Sequence, residues 1–233
     1  MCAGWGNVPP ACTVVERGRG FPMMTYDAVE ETLCEQQIKR LRVLARLFWN
    51  VIDREALATL DLSAFDGMGE KVTQAQAALA HDAQRALEDE EVARNLRVEF
   101  TTLFASPRLN APLPYESLFV HEGGLLMQDA RDDAVRRYRR AGFSIDWEGH
   151  EPEDHLSVEL LYLAHLEEQA LSAQREGCNE KRDEALAEAA SFKRDHIAQW
   201  IPHFCDSVAR TAETDFYQGA LTLLESCVQG ECS

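Results

Sequence analysis

The stretch that decides the fold is Glu151-Pro152-Glu153-Asp154-His155 with the apolar segment that follows it, Leu156–Leu166. Pro152 suits the first turn of a helix, where its missing N–H would be unpaired in any case. The carboxylates beside it lie at the end of a helix where the macrodipole favours negative charge. The segment from Leu156 to Leu166 is apolar nearly all round, which is typical of a helix buried in a larger bundle. The sequence therefore predicts a buried helix that begins at an acidic turn.

The acidic character extends beyond this turn. Eight acidic residues and no Lys or Arg lie between residues 146 and 168. Such a turn could receive a positively charged guest, because carboxylates bind guanidinium and ammonium groups. Acidic first turns are also ordinary signals of a helix start. At this point a binding role and a purely structural role both remain open.

The composition narrows the classes of function. The chain has 233 residues, 45% hydrophobic and 27% charged, which is typical of a globular protein with a substantial core. Its net charge of −17 argues against a general nucleic-acid binder, which needs a basic surface. The same charge is compatible with attraction to a basic partner.

Cysteine usage and hydropathy indicate the compartment. The seven cysteines are scattered and include no Cys-x-x-Cys, which favours reduced thiols over disulfides or a structural zinc site. No apolar run approaches the eighteen or so residues that a membrane span requires, and the N-terminus lacks the apolar core of a secretory signal. We therefore expect a cytoplasmic protein without stable membrane association.

Helical periodicity runs through most of the chain, and no β-alternation is convincing. We expect residues 1–23, which lack any amphipathic period, to be a flexible N-terminal extension, and residues 24–233 to form one all-α domain. The predicted helices begin near residue 27 and then cover approximately residues 54–62, 70–88, 92–104, 129–141, 156–175, 180–201, 202–210 and 214–228. The segment 107–119 contains three prolines and is too broken for a helix. It is rich in apolar side chains, so we expect it to pack on the body as a loop.

Three motifs, taken in order, resemble those of the TorD/DmsD family of redox-enzyme maturation chaperones, to which NarJ-like proteins are more distantly related. They are Phe100-Thr101-Thr102-Leu103-Phe104, Pro114-Tyr115-Glu116-Ser117-Leu118-Phe119 and Glu151-Pro152-Glu153-Asp154-His155. Downstream, Phe192, His196 and Trp200-Ile201-Pro202-His203-Phe204 resemble the aromatic pattern near the family's C-terminus. The resemblance covers roughly Thr25 to Val228. It implies an all-α helical bundle of the TorD/DmsD type.

The resemblance also implies a function. A member of this family is a cytoplasmic chaperone, not an enzyme, and has no cofactor of its own. Its partners are the twin-arginine signal peptide and the apoprotein of a molybdenum-cofactor-containing reductase, which it withholds from export until the cofactor is inserted. Nucleic acid is not among the expected partners, and both a monomer and a homodimer remain open.

The signal-peptide-binding residues implied by the resemblance are Phe100, Leu103, Phe104, Pro114, Tyr115, Ser117, Pro152, Asp154 and His155. We predict that Asp154 receives an arginine of the client peptide, since guanidinium pairs well with carboxylate. The loop after Pro114 would hold the apolar part of the peptide. Core packing remains an equal alternative for Phe100 and Phe104. Here Tyr-Glu-Ser follows Pro114 where some members have Trp-Gly-Ser, which leaves the selectivity for peptides open.

Two other classes of function fit parts of the sequence. His155 and Glu159 are four residues apart on one helix face, which would suit a metal-dependent enzyme. A metal-binding bundle would need a second helix with matching ligand spacing, and none is present in the sequence, so we expect no bound metal. A structural helical adaptor would leave the acidic turn and the apolar proline-rich loop unexplained. The sequence contains no phosphate-binding glycine loop for a nucleotide.

Overall fold

The computed structural model describes residues 26–106, 113–120, 126, 129–145 and 152–229. Within these residues the regular secondary structure is helical, apart from one isolated β-bridge between Tyr115 and His155. The α-helices, numbered α1 to α10 in chain order, are Tyr26–Trp49, Arg54–Ala58, Glu70–Glu88, Glu90–Phe100, Ser117–Val120, Asp129–Arg140, Leu156–Arg175, Asn179–Phe192, Ala198–Ala209 and Asp215–Gln229. The prediction of an all-α fold is confirmed. The predicted N-terminal extension lies outside the described residues.

Helix α7 is the centre of the molecule, as its apolar sequence predicts. It packs against α1 on one side and α8 on the other. Leu156 and Tyr162 are fully buried, and even Glu159 has no exposed surface. A helix with neighbours on several sides must be apolar all round, because every face leaves water. Within the described residues no helix is both long and apolar enough to traverse a bilayer.

A second layer forms where α10 packs against α3, with α9 and α1 beside it. The close approach depends on Gly219, because an added Cβ there would lie 2.7 Å from the carbonyl oxygen of Ala75 and 3.1 Å from Cβ of Leu79. The carboxylate of Asp82 on α3 accepts a hydrogen bond of 3.2 Å from the backbone N–H of Phe216. This bond satisfies one of the unpaired donors in the first turn of α10.

Aromatic rings join the two layers. Phe104 lies within 5.1–6.1 Å, between ring centroids, of Phe48, Phe100, Phe204 and Tyr217. Most of these contacts are edge-to-face or tilted, which aromatic rings prefer over direct stacking. All five rings are buried, so this cluster is the core that links α1, α4, α9 and α10.

The structure corrects two of the predicted boundaries. The helix expected over residues 54–62 ends at Ala58, and a short 3₁₀ helix, Ser63–Phe65, follows. The helices predicted to meet at Pro202 do not break there, because α9 runs from Ala198 through Pro202. Proline removes only one helical hydrogen bond, and the buried residues around it hold the helix together. The break lies upstream, in a π-helix over Lys193–Ile197.

We predict that Gly219→Ala lowers the free energy of unfolding by about 1–2 kcal/mol. Overpacking against a backbone carbonyl costs about 1–3 kcal/mol, and the better helix propensity of alanine returns only about 1 kcal/mol. Urea denaturation of the two proteins measures the difference. Gln229→Ala, on the exposed end of the same helix, should stay within about 0.5 kcal/mol. Unchanged or higher stability of Gly219→Ala would mean that α3 and α10 do not approach this closely.

Candidate functional site

Two segments far apart in sequence are joined by the backbone at the start of α7. The N–H of Glu116 donates to the carbonyl oxygen of Asp154 at 3.0 Å, and the N–H of Leu156 donates to that of Pro114 at 2.8 Å. These two bonds flank the β-bridge between Tyr115 and His155. Residues 113–119 therefore pack on the body, as the apolar composition of the predicted loop indicates, and residues 107–112 lie outside the described residues. We call residues 113–120 together with residues 152–157 the junction.

The side chain of Asp154 closes the junction. Its Oδ2 accepts a hydrogen bond from the backbone N–H of Ser117 at 3.0 Å and a second one from the Ser117 hydroxyl. Neither residue has any exposed surface. The second oxygen, Oδ1, is also buried and has no hydrogen-bond partner among the residues that the structure describes. Burial of a carboxylate is costly in free energy unless it is hydrogen-bonded. The two hydrogen bonds from Ser117 offset part of this cost for Asp154.

His155 occupies the N-cap of α7. Its Nδ1 accepts a hydrogen bond of 3.1 Å from the backbone N–H of Ser157. The ring lies between Trp49 and Tyr115, with centroid distances of 5.2 and 5.1 Å. Burial lowers the pKa of His155 to about 3, so the ring is neutral near pH 7. A neutral imidazole is required here, because a protonated Nδ1 could not accept the capping hydrogen bond.

The structure brings together six of the nine predicted site residues. Pro114, Tyr115, Ser117, Pro152, Asp154 and His155 all belong to the junction. Tyr115 is partly exposed, and the other five are buried. The remaining three, Phe100, Leu103 and Phe104, are 2–5% exposed in the aromatic core. Leu103 and Phe104 lie in a π-helix, Thr101–Ala105, that continues α4. Direct contact of these three residues with a peptide stays a prediction, and their burial favours core packing.

A buried polar cluster lies directly behind the junction. Glu116 reaches inward, and its Oε2 lies 2.8 Å from Nδ1 of His196. Glu159 accepts a 3.1 Å hydrogen bond at Oε2 from the indole N–H of Trp200. Burial, together with the charge of Glu116 and a hydrogen bond to it, raises the pKa of Glu159 well above its usual value. The raised pKa favours a protonated, uncharged Glu159 in this buried position.

The cluster extends to the surface through α6. Nε2 of His196 lies 3.1 Å from Oδ2 of Asp133, and the same oxygen accepts a 2.9 Å bond from Nε of Arg137. Burial opposes the charged forms of both acids and bases. For Asp133 the hydrogen bonds from Arg136, Arg137 and His196 outweigh burial and lower the pKa to about 2. For His196 the contacts with Glu116 and Asp133 outweigh burial and raise the pKa.

The same cluster contains the groups that could hold a metal ion. Glu116, Glu159 and His196 each offer one ligand atom, and these atoms lie within 4.8 Å of one another. Asp133 would orient the imidazole through its other nitrogen, as carboxylates do for metal-bound histidines. The pairing of His155 with Glu159 that the sequence suggested is not formed, because His155 caps the helix and faces Trp49 and Tyr115.

Sequence reasoning missed Glu116 and His196 as partners. Glu116 was visible in the middle of the second motif, and His196 in the C-terminal aromatic pattern. Their separation of eighty residues gives no spacing signal. A π-helix, Lys193–Ile197, carries His196 and cannot be read from helical periodicity. Helices of this type occur often at functional sites.

Comparison with known proteins identifies a protein family that matches this part of the chain. The family described as nitrate reductase delta subunit matches residues 65–206 of the chain. This range includes the junction, the buried polar cluster and the π-helix that carries His196. It covers more than half of the chain.

Individual relatives carry chaperone names. The chain is 31% identical to "Chaperone protein TorD" of Photobacterium profundum over 140 residues, or 60% of this chain and 63% of that protein. It is 28% identical to the protein of the same name from Vibrio parahaemolyticus over 144 residues, or 61% of this chain and 66% of that one. The chain thus spans slightly less than two thirds of the length of these relatives.

One solved structure also matches. It is a crystal structure from Archaeoglobus fulgidus, described as that of a protein of redox enzyme maturation. The sequence identity is 23%, the TM-score is 0.48, and the match covers 78% of this chain and 88% of that one.

We predict that His155→Asn is less stable than the wild type near pH 7. The difference between their free energies of unfolding should become smaller as the pH falls. An unfolded histidine binds a proton below about pH 6.5, whereas the folded one stays neutral until about pH 3. The wild type therefore loses stability as the pH falls below 6.5, by about 2 kcal/mol between pH 7 and pH 5. Asparagine can accept the capping bond and does not titrate. Urea unfolding at both pH values measures the gap, and a constant gap would contradict the buried neutral histidine.

We predict that Glu159→Gln is tolerated near pH 5 and becomes progressively stabilising relative to the wild type toward pH 8. An acid whose pKa is raised on folding binds more protons when folded, so its presence lowers stability as the pH rises, by about 1.4 kcal/mol per unit. Glutamine can donate to Glu116 and accept from Trp200 without this cost. Denaturation across this pH range measures the slope. If a metal held the cluster together, Glu159→Gln would instead lose both stability and metal in elemental analysis.

Proposed function

The chain belongs to the nitrate reductase delta subunit family, and from that premise we propose that it is a chaperone for maturation of a molybdenum-cofactor-containing reductase. In this proposal it binds the twin-arginine signal peptide of its client and withholds the apoprotein from export until the cofactor is inserted. It acts in the cytoplasm and catalyses no reaction. The observation that carries the proposal is the similarity to relatives named as TorD chaperones.

The geometry of the junction supports the proposal. A twin-arginine peptide presents two guanidinium groups followed by an apolar stretch. The junction places an acidic turn beside a loop whose Tyr115, Leu118 and Phe119 are partly exposed. Phe119 rests on Trp200 and Phe204, with centroid distances of 5.4 and 6.0 Å, so this apolar surface has a rigid base. A rigid aromatic surface loses little entropy when it binds a partner.

The predicted site residues differ in their roles. Tyr115, with Pro114 and His155 beside it, forms the part that would contact the peptide. Asp154 and Ser117 hold the loop against α7, because their mutual hydrogen bonds are enclosed. Phe100, Leu103 and Phe104 support the site from the core, and Pro152 begins the turn. A partner that met Asp154 directly would first have to break its bonds to Ser117.

We predict that Tyr115→Ala weakens binding of a synthetic twin-arginine peptide by about tenfold or more, because anchoring aromatic residues typically contribute over 1 kcal/mol. Isothermal titration calorimetry with the full chain measures the affinity. Tyr115→Phe keeps the ring and should bind almost as the wild type does. A peptide with Lys-Lys in place of Arg-Arg should bind less tightly, since lysine lacks the planar fork of donors. Equal affinity for both peptides would rule out recognition of twin arginines.

A further inference from the structure

An ion pair on the surface of the junction joins the acidic turn to α6. The Nε atom of Arg131 lies 2.7 Å from Oε2 of Glu153, and an Nη atom lies 2.6 Å from the same oxygen. The side chain of Glu153 is 41% exposed and that of Arg131 is 28% exposed. Glu153 is the residue directly before Asp154, so the two carboxylates of this turn lie in opposite environments, one at the surface and one enclosed.

The position of Glu153 is fixed by the fold. The hydroxyl of the buried Tyr138 donates to the carbonyl oxygen of Glu153 at 3.1 Å. The side chain can therefore present its carboxylate without a reorganisation of the turn. Both nitrogens of Arg131 share Oε2, and among the described residues Oε1 accepts no hydrogen bond. A guanidinium from another molecule could approach this second oxygen.

The proposal that follows rests on the proposed function. We propose that Glu153 receives a guanidinium of the client's twin arginines, and that Arg131 occupies this carboxylate in the free chain as an internal competitor. Binding of the peptide then exchanges one arginine for another at the same carboxylate. Arg131 therefore sets the affinity and the selectivity for the peptide, because a cation without the planar fork of guanidinium donors cannot replace it.

Two features allow the exchange at Glu153. Arg131 also contacts Asp132, with Nη1 3.0 Å from Oδ1, so the displaced guanidinium keeps a carboxylate partner. The guest forms the same kind of charge-assisted hydrogen bond that Arg131 gives up. Asp154, in contrast, offers no such exchange, because its hydrogen bonds come from Ser117 in an enclosed space. An arginine at Asp154 would need the junction to open.

The test is calorimetric titration of the full chain with a synthetic peptide that carries Arg-Arg followed by apolar residues. Glu153→Gln should weaken binding about tenfold and flatten its dependence on salt, since one charge pair is lost. Arg131→Gln should tighten binding at least threefold, because the competitor is gone. The double variant should bind as Glu153→Gln does. Melting temperatures of all variants verify that they are folded.

Two controls match these changes. Arg139→Gln removes the same charge from an exposed position on α6, and Glu180→Gln removes a carboxylate from the exposed first turn of α8. Both should leave the affinity within about twofold of the wild type, as expected for distant, screened charges. The Nε–H resonance of Arg131 in an NMR spectrum should shift when the peptide is added, because that hydrogen bond is exchanged.

The outcomes separate the inference from the function on which it rests. If the wild type prefers Arg-Arg over Lys-Lys peptide but Glu153→Gln binds equally well, the assignment of Glu153 is wrong and the proposed function stands. If Arg131→Gln weakens binding, Arg131 positions Glu153 and does not compete with the guest. If Asp154→Asn alone flattens the salt dependence, Asp154 is the receiver. If the wild type binds neither peptide, the proposed function fails and the inference with it.

Discussion

The enclosed carboxylate of Asp154, hydrogen-bonded by the backbone and hydroxyl of Ser117, is the constraint on which the junction depends. It ties residues 113–116, which precede α5, to the first turn of the buried helix α7. Once these bonds form, Tyr115 must face outward beside His155, and Glu116 must face inward. Removing one partner would leave a buried charge unpaired, which costs several kcal/mol. The loop is therefore held by hydrogen bonds between Asp154 and Ser117 that other side chains could not easily form.

The inward direction of Glu116 connects the junction to the rest of the molecule. Through His196 and Asp133 a continuous polar path runs from the loop to α6, although its first members lie in an otherwise apolar interior. Such a network specifies one arrangement, because a partly formed version would bury unsatisfied groups. Helix α6 also carries Arg131, which pairs with the Glu153 side chain at the surface, and the buried Tyr138, whose hydroxyl donates to the carbonyl oxygen of Glu153. The buried polar path that begins at Glu116 and the surface ion pair between Arg131 and Glu153 thus hold the same acidic turn from two sides.

The all-α character, the burial of α7 and the bounds of α3 follow from local sequence. Helix α3 is Glu70–Glu88, as its apolar spacing predicts, because an amphipathic period depends only on neighbouring residues. The boundary near Pro202 was misplaced because proline is a local signal, whereas the packing that overrides it comes from Trp200, Ile201 and Phe204 in the core. The two π-helices also lie outside what a 3.6-residue period can predict, because their hydrogen bonds run from residue i to i+5.

At the site, the grouping of Pro114, Tyr115 and Ser117 with the turn up to His155 was implied by the resemblance of the sequence motifs to those of the TorD/DmsD family. The sequence could not determine which carboxylate faces water. Glu153 and Asp154 are adjacent and chemically alike, and only the contacts with Arg131 and Ser117 separate the exposed one from the buried one. Nor could it pair Glu116 with His196, eighty residues apart. Such pairs form only when tertiary packing removes both groups from water, where each requires the other as a hydrogen-bond partner.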